Sequence, residues 1–583
     1  MSIIRGSQLI GHSFRMGGQS FRSLIFWTLS FFLLCWIAIA CFKIDHIHIH
    51  NIKQGFRAWQ YLVQNQQQPI KLIDRGVYEA IEQQAKARNI FTYELLLEYK
   101  TDPRFVLVAP NRVGNHPLLT RENDNIKHIL LHSAVHSLLI SLGGIVLLIC
   151  WLKRYGKDTQ TDEFLRGNRL VSDKALTQLI NKYNLKQQQI TKYYLANIPY
   201  PINAETEHSL IVGSTGSGKT VLLKSLVKQL KQRGDKVLIY DYTGSFTASF
   251  YNHNQDTIIN PFDERGKSWS LLKEISQEAE FDTIANALIN QKHNITDPFW
   301  PNGARLIFTE LCRLQHRRGD YSSNNLYQLL ALPFADLEQL LANTPAAQFF
   351  KPDSSKTTMS LLMLLATHLK GLQYIDDSNS YFSIKDWLLD TDDKSTVFLT
   401  SKSNLHASIQ PLIAAIMDIA TNNIGELSLH NQQRTWFIFD ELPSINYLPS
   451  LKKALATARN YGVCFVLGIQ SVNQLYDIYG KSESHAIISN CKNKLIMNLA
   501  DTNAAEWASN TIGRQEIEKY SQSLSYGAHQ VRDDISLNKV VHEKQLVLPS
   551  EIMSLPKLTG YCSMSGDFPT AKIKFKLTQT CRE

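Results

Sequence analysis

Two long uncharged stretches divide the chain before any finer pattern does. From Ser23 to Phe42 no residue is charged, and Leu, Ile, Phe, Trp and Ala dominate. About 20 such residues suffice for a helix to cross a hydrocarbon core. The stretch is too long for a signal-peptide core, and no small-residue cleavage site follows it. A second span runs from His128 to Leu152, with Gly143 and Gly144 inside and Lys153 and Arg154 closing it. His132 and His136 lie one helical turn apart there and are expected as neutral imidazoles facing a helix partner, with a proton or metal role as the alternative. The intervening residues 43–127 carry mixed charge and show helical spacing near Tyr78 to Ala87. His46, His48 and His50 alternate, which predicts one face of an exposed strand, with a metal site as the alternative.

Beyond the second span, Tyr155 to Tyr200 is polar and broken, which predicts a linker. From Pro201 the pattern becomes one of short apolar runs separated by longer periodic ones. Leu210–Val212, Lys236–Asp241, Thr396–Thr400, Trp436–Phe439, Val463–Ile469 and Lys494–Leu499 read as strands, with Val540–Leu548 and Tyr561–Lys576 as late ones. Val221 to Arg233, stopped by Gly234, and Pro449 to Arg459 read as helices. Buried strands alternating with helices predict a parallel sheet covered on its faces. From about Lys267 to Phe382 β-branched runs are sparse. Leu326, Leu329 and Leu330, and Leu361, Leu365 and Leu369, fit helix faces there, which predicts an all-α insertion.

The expected fold class is therefore α/β, with a nucleotide-binding domain over residues 201–266 and 383–583 and an all-α domain over residues 267–382. Residues 1–22, the spans 23–42 and 128–152, the segment 43–127 between them and the linker 153–200 precede it. Arg5, Arg15 and Arg22 before the first span, and Lys153, Arg154 and Lys157 after the second, put both ends in the cytoplasm. That leaves residues 43–127 outside, and they hold no cysteine, so the module needs no disulfide in an oxidising periplasm. The 8 cysteines of the chain form no C-x-x-C pair and no zinc spacing.

A net charge of +9 suits an anionic partner, either nucleic acid or lipid headgroups. Three basic features are candidates for contact: the tip Gln315-His316-Arg317-Arg318-Gly319, the strand face Lys572, Lys574 and Lys576, and the helix face Lys224, Lys228 and Lys231. Solvated faces are the plainer reading of all three.

The chemistry concentrates at Gly213-Ser214-Thr215-Gly216-Ser217-Gly218-Lys219-Thr220. Strand before and helix after make this G-x-x-x-x-G-K-T match a phosphate-binding loop. Its glycines let successive N–H groups face phosphate oxygens, and the helix N-terminus adds partial positive charge. Lys219 is expected at the β- and γ-phosphates and Thr220 on Mg²⁺. Asp440 and Glu441 end an apolar run in the same predicted sheet. Asp440 is placed to hold Mg²⁺ and Glu441 to polarise the attacking water. Arg459 beyond the next helix and Gln470 at the next strand tip match the parts of a ring ATPase, or else a surface arginine and a capped strand end. Neither H-E-x-x-H nor L-S-G-G-Q occurs, which removes a zinc protease and an ABC transporter from consideration.

Together these residues resemble the type IV secretion coupling proteins. The stretches that carry the likeness are the phosphate loop, Asp440-Glu441-Leu442-Pro443-Ser444 and Gly468-Ile469-Gln470-Ser471. Asp241 to Phe246, Asn260 to Gly266, Asp297 to Trp300, Ser525 to Ala528 and Pro549 to Met553 bring it near the TraD branch of the TraD/TrwB group. The resemblance implies a RecA-like motor with an all-α domain, a membrane-anchored homohexamer, ATP and Mg²⁺ as cofactors, and Arg459 acting in trans. It implies DNA, relaxase or relaxosome proteins and secretion-channel proteins as partners in the bacterial inner membrane. Ser245 departs from the family, where Glu is frequent, and no long C-terminal tail follows the last strand. A coupling ATPase for protein effectors and an FtsK/HerA-like translocase are the alternatives.

Overall fold

The computed structural model describes residues 2–64, 66–88, 106–158, 163–190, 192–289, 297–375, 381–402, 404–429, 433–525 and 534–576. They form two compact units, residues 1–161 and 162–583.

The first unit is built on helices α1 (Ser2–Lys43), α2 (His46–Val63), α3 (Arg75–Arg88) and α4 (Pro117–Asp158). Within α1 and α4, Phe21–Lys43 and Pro117–Trp151 are long and apolar enough to cross a membrane. The two helices pack together, and Trp36 Nε1 donates to Leu130 O at 2.9 Å. Within its apolar stretch, Ser133, Ser137 and Ser141 are the buried positions of α4, where small side chains let helices approach closely. His132 and His136 instead lie exposed, with His136 Nδ1 2.7 Å from His132 O. The expectation that they face a helix partner is thus corrected: the serines take that face.

The alternating histidines are not on a strand. They open α2, where residues two apart lie about 200° apart around the axis. His48 consequently turns inward to Glu122, while His50 Nε2 lies 3.4 Å from Gln54. Among the described residues no group of three metal-ligating side chains converges. A short antiparallel pair, Ile70–Leu72 with Val106–Val108, completes the module. Asn51 holds it to α2 by bonding both the N–H and the carbonyl of Ile73.

The second unit is organised by a ten-stranded sheet. Its strands are β1 (Leu170–Ser172), β2 (Ser209–Val212), β3 (Lys236–Asp241), β4 (Thr257–Ile259), β5 (Thr396–Thr400), β6 (Thr435–Phe439), β7 (Val463–Ile469), β8 (Asn493–Met497), β9 (Thr559–Ser563) and β10 (Thr570–Lys574). They lie in the order β1-β10-β9-β8-β2-β7-β6-β3-β5-β4. From β8 to β4 every pairing is parallel, as the apolar runs predict. At the other edge β9 pairs antiparallel with both β8 and β10. The sheet is therefore mixed. The tight connection between β9 and β10 leaves no room for the crossover that parallel pairing needs.

Successive strand residues point to opposite faces. Leu210, Val212, Leu238 and Tyr240 enter one core, and Ile211, Val237 and Ile239 the other. The first core continues without a break into the insertion through Phe308, Leu361 and Leu365. Between Leu271 and Tyr374 the described residues hold helices and no strand, the longest being Phe299–Arg317 and Ser355–Leu369. Leu326, Leu361, Leu365 and Leu369 are buried there, and Leu329 and Leu330 pack against them. The two stems of the insertion meet at a bridge between Trp269 and Phe382. Beside it the buried Glu274 carboxylate accepts from Trp269 Nε1 (2.7 Å), Ser383 Oγ (3.0 Å), Ile384 N (2.7 Å) and Lys385 N (2.9 Å). It thereby caps the helix Ile384–Leu389 from across the junction. Burial pushes its pKa up, against these four donors.

The stretch 163–200, predicted as part of a linker, is woven into the motor. β1 pairs with β10, and Glu163–Gly167 joins the antiparallel pair Arg514–Ser525 and Asp534–Gln545. Its polar composition hides this because the strands are short edge strands. The helix Asp173–Lys186 buries only a stripe, Leu176, Ile180 and Asn184. Two of the basic helix-face residues are also engaged: Lys224 donates to Ser249 Oγ at 3.0 Å, and Lys231 pairs with Asp256. Lys572 and Lys574 stay exposed on β10, and Arg317 and Arg318 stay exposed at the tip.

Candidate functional site

The phosphate loop leaves β2 between the tips of β7 and β8. Gly213 N donates to Ile469 O at 3.1 Å and Ser214 N to Asn498 O at 2.8 Å. Gly216 and Gly218 have φ of +79° and +113°, a region that glycine enters without the Cβ clash. Close approach constrains Gly213 as well, since a Cβ there would lie 2.6 Å from Ser217 Oγ. Helix α5 (Lys219–Arg233) starts directly after the loop. Its first-turn N–H groups are unpaired within the helix and available to an anion.

Six of the predicted residues converge here. Lys219 Nζ donates to Glu441 Oε2 at 3.0 Å, and the two side chains are 8% and 13% exposed. Thr220 Oγ1 donates to Asp440 Oδ1 at 3.1 Å. Thr215 Oγ1 donates to Gln470 Oε1 at 3.2 Å. β6 and β7 deliver the acids and Gln470 side by side because Gly468 lets the strands approach. A Cβ on Gly468 would lie 2.3 Å from Asp440 O.

Arg459 is not among them. It follows the helix Leu451–Thr457, at the end of the sheet where β7 begins, and pairs with Glu207 at 2.7 Å. The length of β7 separates it from Gln470, about 20 Å at the usual rise.

Burial raises the Asp440 pKa to about 6; the Thr220 bond and Lys219 oppose this, while Asp241 and Glu441 add like charge. Asp241 Oδ2 accepts from Phe246 N, Thr247 N and Thr247 Oγ1 at 2.8–2.9 Å. Asp241 Oδ1 and Glu441 Oε1 are buried with no protein donor. Buried carboxylate oxygens normally have partners. Two left without any, beside a lysine, a threonine hydroxyl and Asp440, fit a hard cation with its water ligands and an incoming phosphate.

Four further residues support the site. Asn498, at the tip of β8, accepts from Ser214 Oγ through both its carbonyl and its side-chain oxygen at 3.0 Å. Only the strand order, which places β8 beside β2, brings it there. Ser444 donates to Glu441 O at 2.7 Å. The Ser444 carbonyl in turn accepts from Gln410 Nε2 at 2.7 Å and bonds His406 Nε2 at 3.0 Å. His406 and Gln410 belong to the helix His406–Asn422, which has no motif to mark it.

Residues 192–576 match the family model described as the type IV secretion-system coupling protein DNA-binding domain. Coupling protein TraD of Escherichia coli K12 is 33% identical over 451 residues, 76% of this chain and 62% of TraD. The chain thus spans less than two thirds of that relative. VirD4, a type IV secretion system-coupling protein of Bartonella henselae, is 24% identical over 160 residues, 27% of this chain and 25% of VirD4. Among solved structures, the unbound conjugative coupling protein TrwBΔN70 superposes with a TM-score of 0.64 at 29% identity, covering 72% of this chain and 95% of TrwBΔN70. TrwB in complex with ADP and Mg²⁺ gives 0.64 at 29% identity, covering 73% and 96%.

Proposed function

We propose that this chain, which belongs to the type IV secretion coupling-protein family, is an inner-membrane ATPase that recruits a relaxase–DNA complex and drives it into a secretion channel. The observation that carries the reading is the pairing of Lys219 with Glu441 and of Thr220 with Asp440 across one cleft. A phosphate-bearing ligand with its cation uses all four groups at once.

In this reading the loop N–H groups and the start of α5 hold the phosphates. Lys219 leaves Glu441 for the β- and γ-phosphate oxygens. Thr220 and Asp440 hold Mg²⁺, which neutralises charge on the transferring phosphoryl group. Glu441, released from the lysine, orients the attacking water and takes its proton. Gln470, tethered to Thr215, stands at the γ-phosphate end and senses its presence. Arg459 lies too far from its own loop to serve it, so it stabilises transition-state charge in a neighbouring subunit of a homohexamer. The spans α1 and α4 anchor the ring in the membrane with both chain ends in the cytoplasm. Basic surface, including Lys572 and Lys574, contacts single- or double-stranded DNA, and other surfaces meet relaxosome and channel proteins.

A transfer assay tests this. Deleting the gene abolishes plasmid transfer, the wild-type gene restores it, and the Lys219→Ala gene does not. Normal plasmid transfer with lost export of protein effectors would replace the DNA cargo with proteins.

A further inference from the structure

Helix α2 carries an apolar stripe that no described residue covers. Ile49, Ile52, Phe56, Trp59 and Val63 are 52%, 53%, 62%, 58% and 66% exposed. At 100° per residue they share an arc of about 80°. The adjoining face is packed: Ile47, His48, Asn51 and Ala58 are buried, and Leu119 lies against Gly55. We infer that α2 is an interfacial helix, whose stripe rests in the outer-leaflet surface of the same bilayer that α1 and α4 cross.

Three observations favour lipid as the occupant. First, α2 starts at His46, directly after α1 ends at Lys43, so it begins at the surface of the membrane. Second, its direction fits. His48 meets Glu122 and Gly55 meets Leu119, so about 10 Å along α2 corresponds to about 4.5 Å along α4. The two helices therefore cross steeply, and α2 runs across the span rather than along it. From Glu122 to His128, where the unbroken apolar stretch begins, α4 rises about 9 Å, which puts the start of α2 near headgroup depth, and α2 moves outward by about 4.5 Å between His48 and Gly55. Third, the side chains suit that depth. Phe56 and Trp59 have ring centroids 5.6 Å apart on the stripe, and Lys53 stands exposed near its border. Aromatic rings prefer the headgroup level, and basic residues there meet lipid phosphates.

The inference rests on the reading of α1 and α4 as spans, and the experiment separates the two. A photoreactive benzophenone amino acid replaces Phe56, Trp59, Leu34 or Glu79, one at a time, in the full chain in native membranes. Leu34 is an exposed residue of α1, and Glu79 an exposed residue of α3. After irradiation, mass spectrometry identifies the adducts. Phospholipid adducts are expected at positions 56, 59 and 34, several-fold above position 79. Lipid at position 34 with none at 56 and 59 would overturn the inference and spare the spans. Protein adducts at 56 and 59 would overturn it in favour of a docking partner. No lipid at position 34 would overturn both.

Discussion

Glu441→Gln is expected to tighten nucleotide binding while stopping hydrolysis. Lys219 Nζ sits 3.0 Å from Glu441 Oε2, and both side chains are largely buried. The phosphates have to take that ammonium away. A hydrogen bond to a charged acceptor contributes about 1.5–3 kcal/mol and one to a neutral acceptor about 0.5–1.5. The amide in Glu441→Gln therefore lowers the cost of release by about 1 kcal/mol, a gain in affinity of about fivefold. Titration of the full-length protein with a fluorescent, non-hydrolysable ATP analogue and Mg²⁺ reads this directly. Removal of a negative charge near the phosphates would also help, so the same change is measured in Lys219→Met. There the lysine is gone, affinity is low, and only the Coulomb part of the gain survives. Equal gains in both backgrounds, or a weaker affinity in Glu441→Gln alone, would refute competition between carboxylate and phosphate for the lysine.

The Asp440 carboxyl titrates near pH 6, so Mg²⁺-dependent nucleotide affinity falls as pH drops through about 6, whereas Mg²⁺-free binding changes less. The sign for stability is opposite: a carboxyl raised by burial favours the fold while protonated, and this contribution is lost as pH rises through about 6. Asp440→Asn accordingly raises Tm of the nucleotide-free protein at pH 8 while abolishing Mg²⁺ binding. Gly468→Ala forces a Cβ onto the Asp440 carbonyl; it lowers stability by about 2–4 kcal/mol, read from chemical denaturation, and reduces Mg²⁺ affinity. Arg459→Ala leaves nucleotide affinity within about twofold and removes turnover. Mixed rings with Glu441→Gln recover part of the ATPase rate, and no recovery at any ratio counts against a site shared between subunits.

The phosphate loop and the acid pair were legible because each is local: a strand, a turn and a helix start carry all the information within a few residues. Bounds such as Val463–Ile469 came out of the apolar pattern unchanged, since a buried parallel strand has no polar face to blur it. Asn498 was not legible, because its role depends on which strand lies beside β2, and long-range pairing leaves no periodic trace. Residues 163–200 failed for a related reason. An edge strand of three residues gains its stability from β10, some 400 positions away, and its own sequence looks like a connector. The histidines of α2 failed on period: three residues with spacing two suit a strand, and only the helical residues after them, invisible in so short a window, decide the matter.

The Glu274 carboxylate has a mechanical consequence. One side chain fastens the two stems of the insertion to each other, and its donors are two backbone amides, an indole and a hydroxyl, none of which is free to swing on a long tether. A hinge at the stems would strand a buried acid without its donors. A shift at the strand tips, such as the proposed ATP turnover would impose, would thus reach the helical domain as a stiff lever and not be absorbed at its stems.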